Sequence, residues 1–282
     1  MTPHAHTRSL PPEGVRPPRG GSSAGTMKLY HGWLSSASRR VRLCLAEKGL
    51  AYESVPIDIS KQEHHSPEYL AMNPNGVVPA LRLDNGQSLY ESSTICEYLD
   101  DISPEPPLRP ADPYQRAVMR NFIRWTDEKS LPNLLILNWS ISLQPGASQW
   151  SDAQLKEKLD RIPTAERREA WIRIARKPYS EEEKASALAK LLALLDKMEQ
   201  MLAEGKAEPG WLLGQQYTLA DIAATPFVAR IAELAPEAIS AARCPRVVAW
   251  WERMQQRPAF GAARFERFEA ALAGRFTEST AA

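Results

Sequence analysis

Residues 73–101 read NPNGVVPALRLDNGQSLYESSTICEYLDD. Two short apolar runs, VPALRL and QSLY, flank Asp84-Asn85-Gly86, and an Asn-Gly pair between such runs predicts a β-hairpin. After the hairpin, Ile95, Tyr98, Leu99 and Ile102 recur at helical spacing, so SSTICEYLDDI predicts an amphipathic helix. Pro79 sits at the start of the first run, where a strand tolerates it at an edge or first position. Glu91-Ser92 precedes the helix, where a hydroxyl can cap orphan N–H groups and a carboxylate answers the helix dipole.

Working outward, residues 27–72 add KLY as a strand, then SASRRVRLCLAEKGL as a helix with Val41, Cys44 and Leu45 on one face. Gly49 stands where a helix C-cap belongs. YESVPID predicts a second strand and HHSPEYLAMNP a short helix or irregular segment closed by Pro74. The order β-α-β-α-β-β-α describes an α/β unit over 27–103. SPEPPLRPADP is Pro-dense and predicts a linker, taken as 104–113. From 114 to 275 the signals are all helical. They include one helix over 114–130 and one over 181–204, the latter with a stripe of Leu188, Leu191, Leu192, Leu195, Met198 and Leu202. Thr218 and Asp221 form a capping box before IAATPFVARIAEL, and PRVVAWWERMQQRP gives a further helix ended by Pro258. Residues 138–180, polar and punctuated by Trp139, Trp150 and Trp171, read as a mixed helical insertion.

The chain has 282 residues, 43% hydrophobic and 24% charged, with a net charge of +1. That composition is globular, and the balance of charge excludes a globally polybasic surface for nucleic acid or membrane. No run of about 18 apolar residues predicts a membrane span. Cys44, Cys96 and Cys244 are widely spaced and lack a CxxC pair. They fit reduced thiols in the cytoplasm better than a disulfide framework. Residues 1–26 are rich in Pro, Gly, Arg and Ser, too poor in apolar groups to offset ordering entropy, and are expected to be disordered.

Several motifs in order carry a family resemblance. SSASRRVR (35–42) resembles the zeta-class element SSCSWRVR, and NPNGVVPAL (73–81) resembles NPxGxVPxL. ESSTICEYL (91–99) resembles ESxxIxxYL, and TLADI (218–222) the second-domain capping box. Together they are similar to the cytosolic glutathione transferases over 27–270. REAWIRIARKPYSEEE (168–183) resembles the bacterial β-etherase branch more than the zeta class. The resemblance implies a thioredoxin-like βαβαββα domain, an all-helical second domain, glutathione as co-substrate, no metal, a small hydrophobic electrophile and a homodimer.

Carried onto this chain, the resemblance makes Val78-Pro79 a cis peptide. It would turn the backbone of Val78 toward the cysteinyl residue of glutathione. Glu91 would pair with the γ-glutamyl ammonium, and Ser92 with the helix N-terminus would take its carboxylate. Ser35 is the expected thiolate-stabilising hydroxyl, with Ser36 and Ser38 as supporting donors; each also reads as an N-cap of the first helix. His64 is a candidate for the glycine carboxylate or a solvated surface side chain, with Lys61 and Gln62 as further partners. Adjacent histidines such as His64 and His65 cannot share one helix face as metal ligands. Asn121, Arg124 and Trp125 would line the electrophile site or belong to the core.

The expected activity is transfer of the glutathione thiolate to an apolar electrophile by nucleophilic substitution, aryl-ether cleavage among the options. Two alternatives stand beside it. One is a non-catalytic binding protein on the same fold. The other is a zeta-like glutathione-dependent isomerase, against which Ala37 counts, since it replaces the Cys of SSCS. A thiol-disulfide reductase would need a cysteine at the first helix mouth, and Cys44 lies about two turns further on.

Overall fold

The computed structural model describes residues 27–205 and 210–265, and the expectation for 1–26 lies outside them. The N-terminal domain runs β1 (Lys28–His31), α1 (Ser36–Lys48), β2 (Glu53–Pro56), α2 (Pro67–Leu70), β3 (Ala80–Arg82), β4 (Ser88–Tyr90) and α3 (Ser92–Ile102). Its four-stranded mixed sheet has the order β2-β1-β3-β4. β2 is parallel to β1 across α1, while β3 is antiparallel to both β1 and β4. The hairpin turns at Gly86, whose φ of 84° only glycine adopts freely.

α1 is the central helix. Its N-cap is Ser35, and Gly49 ends it in the left-handed conformation at φ 60°. Val41, Leu43, Cys44 and Leu45 are fully buried, packed with Ile95 and Leu99 of α3 in one core cluster. Three arginines of α1, Arg39, Arg40 and Arg42, are buried as well. Arg42 donates to the carbonyls of Trp33 (3.1 Å) and Ala263 (3.0 Å), tying the loop after β1 to the far end of the helical domain.

The connection between domains is held, not slack. Asp100 of α3 is buried and accepts from Leu108 N–H (2.9 Å) and Arg109 Nε (2.5 Å), and pairs with Lys48 of α1. Lys48 also donates to the carbonyls of Ser103 (2.7 Å) and Pro106 (2.6 Å).

The helical domain comprises α4 (Pro113–Trp125), α5 (Leu131–Ser142), α6 (Gln144–Ala147), α7 (Asp152–Asp160), α8 (Ala165–Arg176), α9 (Glu181–Glu204), α10 (Leu219–Leu234), α11 (Pro245–Gln256) and α12 (Pro258–Ala262). The single helix expected over 114–130 is instead α4 followed by a π-helical turn, Thr126–Ser130, that leads directly into α5. The insertion at 138–180 is helical. It has a satellite core in which Trp171 packs on Trp139 (5.4 Å between centroids) and stacks on Trp150 (5.5 Å).

α10 is buried on every side from Leu219 to Ile231 and packs on α1, so one core runs through both domains. Its capping box forms as expected from Thr218 and Asp221. Asp221 does more than cap: wholly buried, it accepts from Leu212 N–H (3.0 Å), Trp250 Nε1 (2.8 Å) and Thr218 N–H (2.9 Å). Burial pushes its carboxyl up despite these donors. Asp221→Ala leaves three buried donors without an acceptor and should cost about 3–5 kcal/mol in chemical denaturation. Asp221→Asn keeps one acceptor oxygen and should cost less; a loss under about 1 kcal/mol for the alanine variant would contradict this role.

Candidate functional site

A cavity of about 710 Å³ lies between the domains. On the N-terminal side it is walled by the mouth of α1, the segment after β2, the Val78-Pro79 bend and the start of α3. On the helical side the walls are the π-helical turn, α5 and Arg167.

The mouth of α1 is built by local hydrogen bonds. Ser35 Oγ accepts from Ser38 N–H (3.2 Å), and Ser35 N–H donates to the Gly32 carbonyl (3.1 Å). The Ser35 hydroxyl is thus spent as an acceptor while its own hydrogen stays available to a ligand. Ser36 also lines the cavity. Ser38 does not: it is fully buried and its Oγ accepts from Gly32 N–H at 3.2 Å, so it braces the loop and is not a ligand donor. Gly32 permits the tight approach here. A Cβ on it would lie 3.0 Å from Ile59 Cδ1, 3.4 Å from Val78 Cγ2 and 3.5 Å from Ser35 Cβ.

Val78-Pro79 is cis, and both residues line the cavity. The preceding carbonyl, of Val77, is held by Tyr69 Oη (2.7 Å) and Asn73 Nδ2 (2.6 Å). Among the described residues nothing bonds the backbone N–H or C=O of Val78.

At the start of α3, Ser92 is not the N-cap. Glu91 occupies that position with φ 66°, and its side chain caps nothing, meeting Asn75 Nδ2 at 3.4 Å. Ser92 is the first helical residue, and its Oγ accepts from Arg40 Nη1 (3.1 Å) because that buried guanidinium needs acceptors. Arg40 also grips Asp127 with both terminal nitrogens, at 3.2 and 2.7 Å. Asp127 comes from the π-helical turn and lines the cavity, so two carboxylates, Glu91 and Asp127, stand at this end.

His64 and His65 are buried, their rings 3.9 Å apart, and neither is a surface side chain. Only His64 lines the cavity. Lys61 is exposed beside Asp58 (3.4 Å), whereas Gln62 is buried with both amide atoms unbonded. Among the described residues no group of three or more His, Cys, Asp or Glu side chains could hold a metal ion.

The apolar wall comes from α5: Leu131, Leu134, Leu135, Trp139 and, just past its end, Leu143. Asn138 and Ser142 are its polar members, and Arg230 Nε holds Asn138 Oδ1 at 2.8 Å. Asn121, Arg124 and Trp125 are absent from the cavity walls. α4 turns Met119, Phe122 and Ile123 into the core, which leaves Asn121 and Arg124 exposed, and Trp125 lies beneath Lys197 (5.4 Å). Of the α5 wall, Trp139 stood out in the sequence as an aromatic for the cavity or the core, whereas Asp127, the α5 leucines and Arg167 carry no local motif. The apolar run LPNLLILNW, broken only by Pro132 and the two amides Asn133 and Asn138, was the available signal for the wall.

Family models described as the glutathione S-transferase N-terminal and C-terminal domains match residues 29–107 and 164–258. Protein LigF of Sphingobium sp. strain SYK-6 is 33% identical over 83% of this chain and 91% of its own. Its crystal structure, titled beta-etherase LigF, superposes with a TM-score of 0.75 over 84% of this chain and 98% of that one, at 32% identity. The maleylacetoacetate isomerase of Pseudomonas aeruginosa is 44% identical, over 40% of this chain and 55% of its own. A glutathione transferase homologue from Sulfitobacter with bound glutathione shares the fold at 23% identity and a TM-score of 0.59, over 85% of this chain and 97% of that one.

Burial pushes His31 and His64 down to about 3 and His65 to about 4, so all three are neutral at physiological pH. For His31, Arg42 Nη1 at 3.2 Å requires Nδ1 as acceptor, which leaves the Nε2 hydrogen for Ser54 Oγ at 2.8 Å. Below pH about 6.5 the unfolded chain takes up protons that these folded-state imidazoles refuse. Stability is therefore complete above that pH and falls with acidification, by about 1.4 kcal/mol per pH unit for each histidine. Urea midpoints should drop between about pH 7.5 and about pH 5, and His31→Gln should shrink the drop. An equal midpoint at the two pH values would contradict the buried neutral state.

Proposed function

As the chain belongs to the glutathione S-transferase family and is a glutathione-dependent enzyme, we propose that it delivers the glutathione thiolate from Ser35 to an aryl-ether carbon held against α5. One observation carries this reading. The Ser35 hydroxyl, the unbonded backbone of cis-linked Val78 and the acidic mouth of α3 open into one cavity, and α5 faces them with an apolar wall.

Each part of the tripeptide has a matching group. The backbone of Val78 offers an N–H and a C=O to the cysteinyl residue, with Pro79 shaping the bend. Glu91 takes the γ-glutamyl ammonium, seconded by Asp127, while Ser92 and the N-terminal N–H groups of α3 take its carboxylate. His64 faces the glycine end. The sulfur then lies at the mouth of α1, where the Ser35 O–H donates to it and the helix N-terminus favours negative charge. Ser36 lies beside it in the same wall.

The chemistry is a displacement. The sulfur lone pair forms a C–S bond at the ether-bearing carbon, the C–O bond breaks, and the phenolate leaves with the bonding pair and takes a proton from water. Leu131, Leu134, Leu135 and Trp139 hold the aryl groups out of water, and Asn138 offers a hydrogen bond to a polar substituent. LigF, titled a beta-etherase, is similar over nearly its whole length, which supports the ether as substrate class. The isomerase likeness is confined to less than half of this chain, and Ala37 stands where the isomerase motif has cysteine. The reading includes a homodimer, the family's usual assembly, and a cytoplasmic location suited to three free buried cysteines. It also includes a division into a glutathione-binding unit over 27–103, a linker over 104–113 and a substrate-binding unit over 114–275. No described helix is long and apolar enough to cross a membrane.

Ser35→Ala should lower turnover about 100-fold and raise the apparent pKa of bound glutathione, read by ultraviolet thiolate absorbance. The lost cap should cost only about 1 kcal/mol of stability, so the variant stays folded. Unchanged turnover would remove Ser35 from the mechanism. Glutathione consumption should be fastest with a β-aryl ether when aryl ethers, aryl halides and maleyl compounds are compared. A preference for maleyl isomerisation would favour the isomerase reading, and glutathione binding without any turnover would favour a binding protein.

A further inference from the structure

Arg167 is the feature of this cavity that the functional reading leaves unused. It sits in the first turn of α8, in the helical insertion, and lines the cavity from the side opposite the N-terminal domain. Its guanidinium makes no ion pair or hydrogen bond among the described residues; its backbone N–H is bonded to Thr164 Oγ1 at 3.4 Å. An arginine facing a cavity without an acidic partner keeps five donors for a ligand. The neighbouring carboxylates are spent locally. Asp58 accepts from Ser60 N–H (2.9 Å) and Oγ (2.6 Å), and Glu63 accepts from Asp58 N–H (2.7 Å).

The ground beneath Arg167 is also incomplete. His64, 5% exposed and part of the cavity wall, has a buried Nδ1 with no partner. Burial first, and the nearby Arg167 charge among the lesser causes, keep the rings of His64 and His65 neutral. The insertion is seated on this same corner. A Cβ on Gly76 would meet His65 Cδ2 at 2.9 Å and Pro163, at the entrance to α8, at 3.2 Å. An unpaired guanidinium lining the cavity beside a neutral imidazole calls for an anion.

Resting on the glutathione reading above, we propose that Arg167 reaches down from α8 and binds the glycine carboxylate of glutathione above His64, so that the helical insertion clasps the tripeptide from the second domain. The γ-glutamyl end is then bridged across domains by Asp127 and the glycyl end by Arg167.

Calorimetric titration of the full chain with glutathione and with γ-glutamylcysteine, which lacks the glycine, tests this. Arg167→Ala should weaken glutathione about tenfold or more and leave γ-glutamylcysteine unchanged, since a charge-assisted pair is lost only where the carboxylate exists. Arg167→Lys should recover part of the loss, keeping the charge without the fork. Equal glutathione affinity in wild type and Arg167→Ala overturns the clasp while leaving the family reading intact. So does equal weakening of both peptides, or a change confined to the KM of the electrophile. A wild-type chain that binds neither peptide overturns the functional reading and the clasp together.

Discussion

The buried guanidinium of Arg40 is the constraint on which the site depends. Taking that charge out of water is tolerable only because Asp127 meets it with both carboxylate oxygens and Ser92 accepts a further hydrogen bond. One side chain thereby specifies three things at once: the position of α1, the start of α3, and the placement of the π-helical turn from the other domain. Arg42 repeats the device at the far end of the loop after β1, where it reaches the Ala263 carbonyl. The loop carrying Ser35 lies between these two anchors, so its hydroxyl is positioned before any ligand arrives.

The π-helical turn explains why the apolar wall of the cavity lies on α5. A turn with one extra residue shifts the phase of a helix, so the faces of α4 and α5 do not continue one another. α4 spends its apolar face on the core and shows Asn121 and Arg124 to solvent. Beyond the turn, α5 is apolar nearly all round, and its cavity side supplies four leucines or tryptophans with one oriented amide. An uninterrupted helix over 114–130 would carry α4's facing into α5, whereas the cavity is lined from α5 and not by Asn121, Arg124 or Trp125.

The domains also share their hydrophobic core. α10 is buried on all sides and lies against α1, with Asp221 holding the loop before it and Trp250 of α11. Relative motion of the domains would therefore disturb packed apolar surface. That rigidity suits a cavity whose walls come from both domains.

How much was legible depended on range. The hairpin, the Gly49 C-cap, the Thr218–Asp221 box and the long helix 181–204 follow from periodicity and capping chemistry, which act within a few residues. The residues gathered from the N-terminal domain, Ser35, Val78, Pro79, Glu91, Ser92 and His64, were legible because they belong to short contiguous motifs. Their individual roles were less so: Ser38 proved to be a loop brace, and Ser92 an acceptor for Arg40 and not a cap. Asp127, the α5 wall and Arg167 come from separate helices whose facing depends on the π-helical turn and on the Trp139–Trp171–Trp150 cluster. No local pattern encodes that facing. The sequence by itself determined the elements and the half of the site that lies in one motif-rich domain. Only the tertiary structure decided which helix lines the cavity, because that choice is made by long-range packing and by buried charges finding their partners.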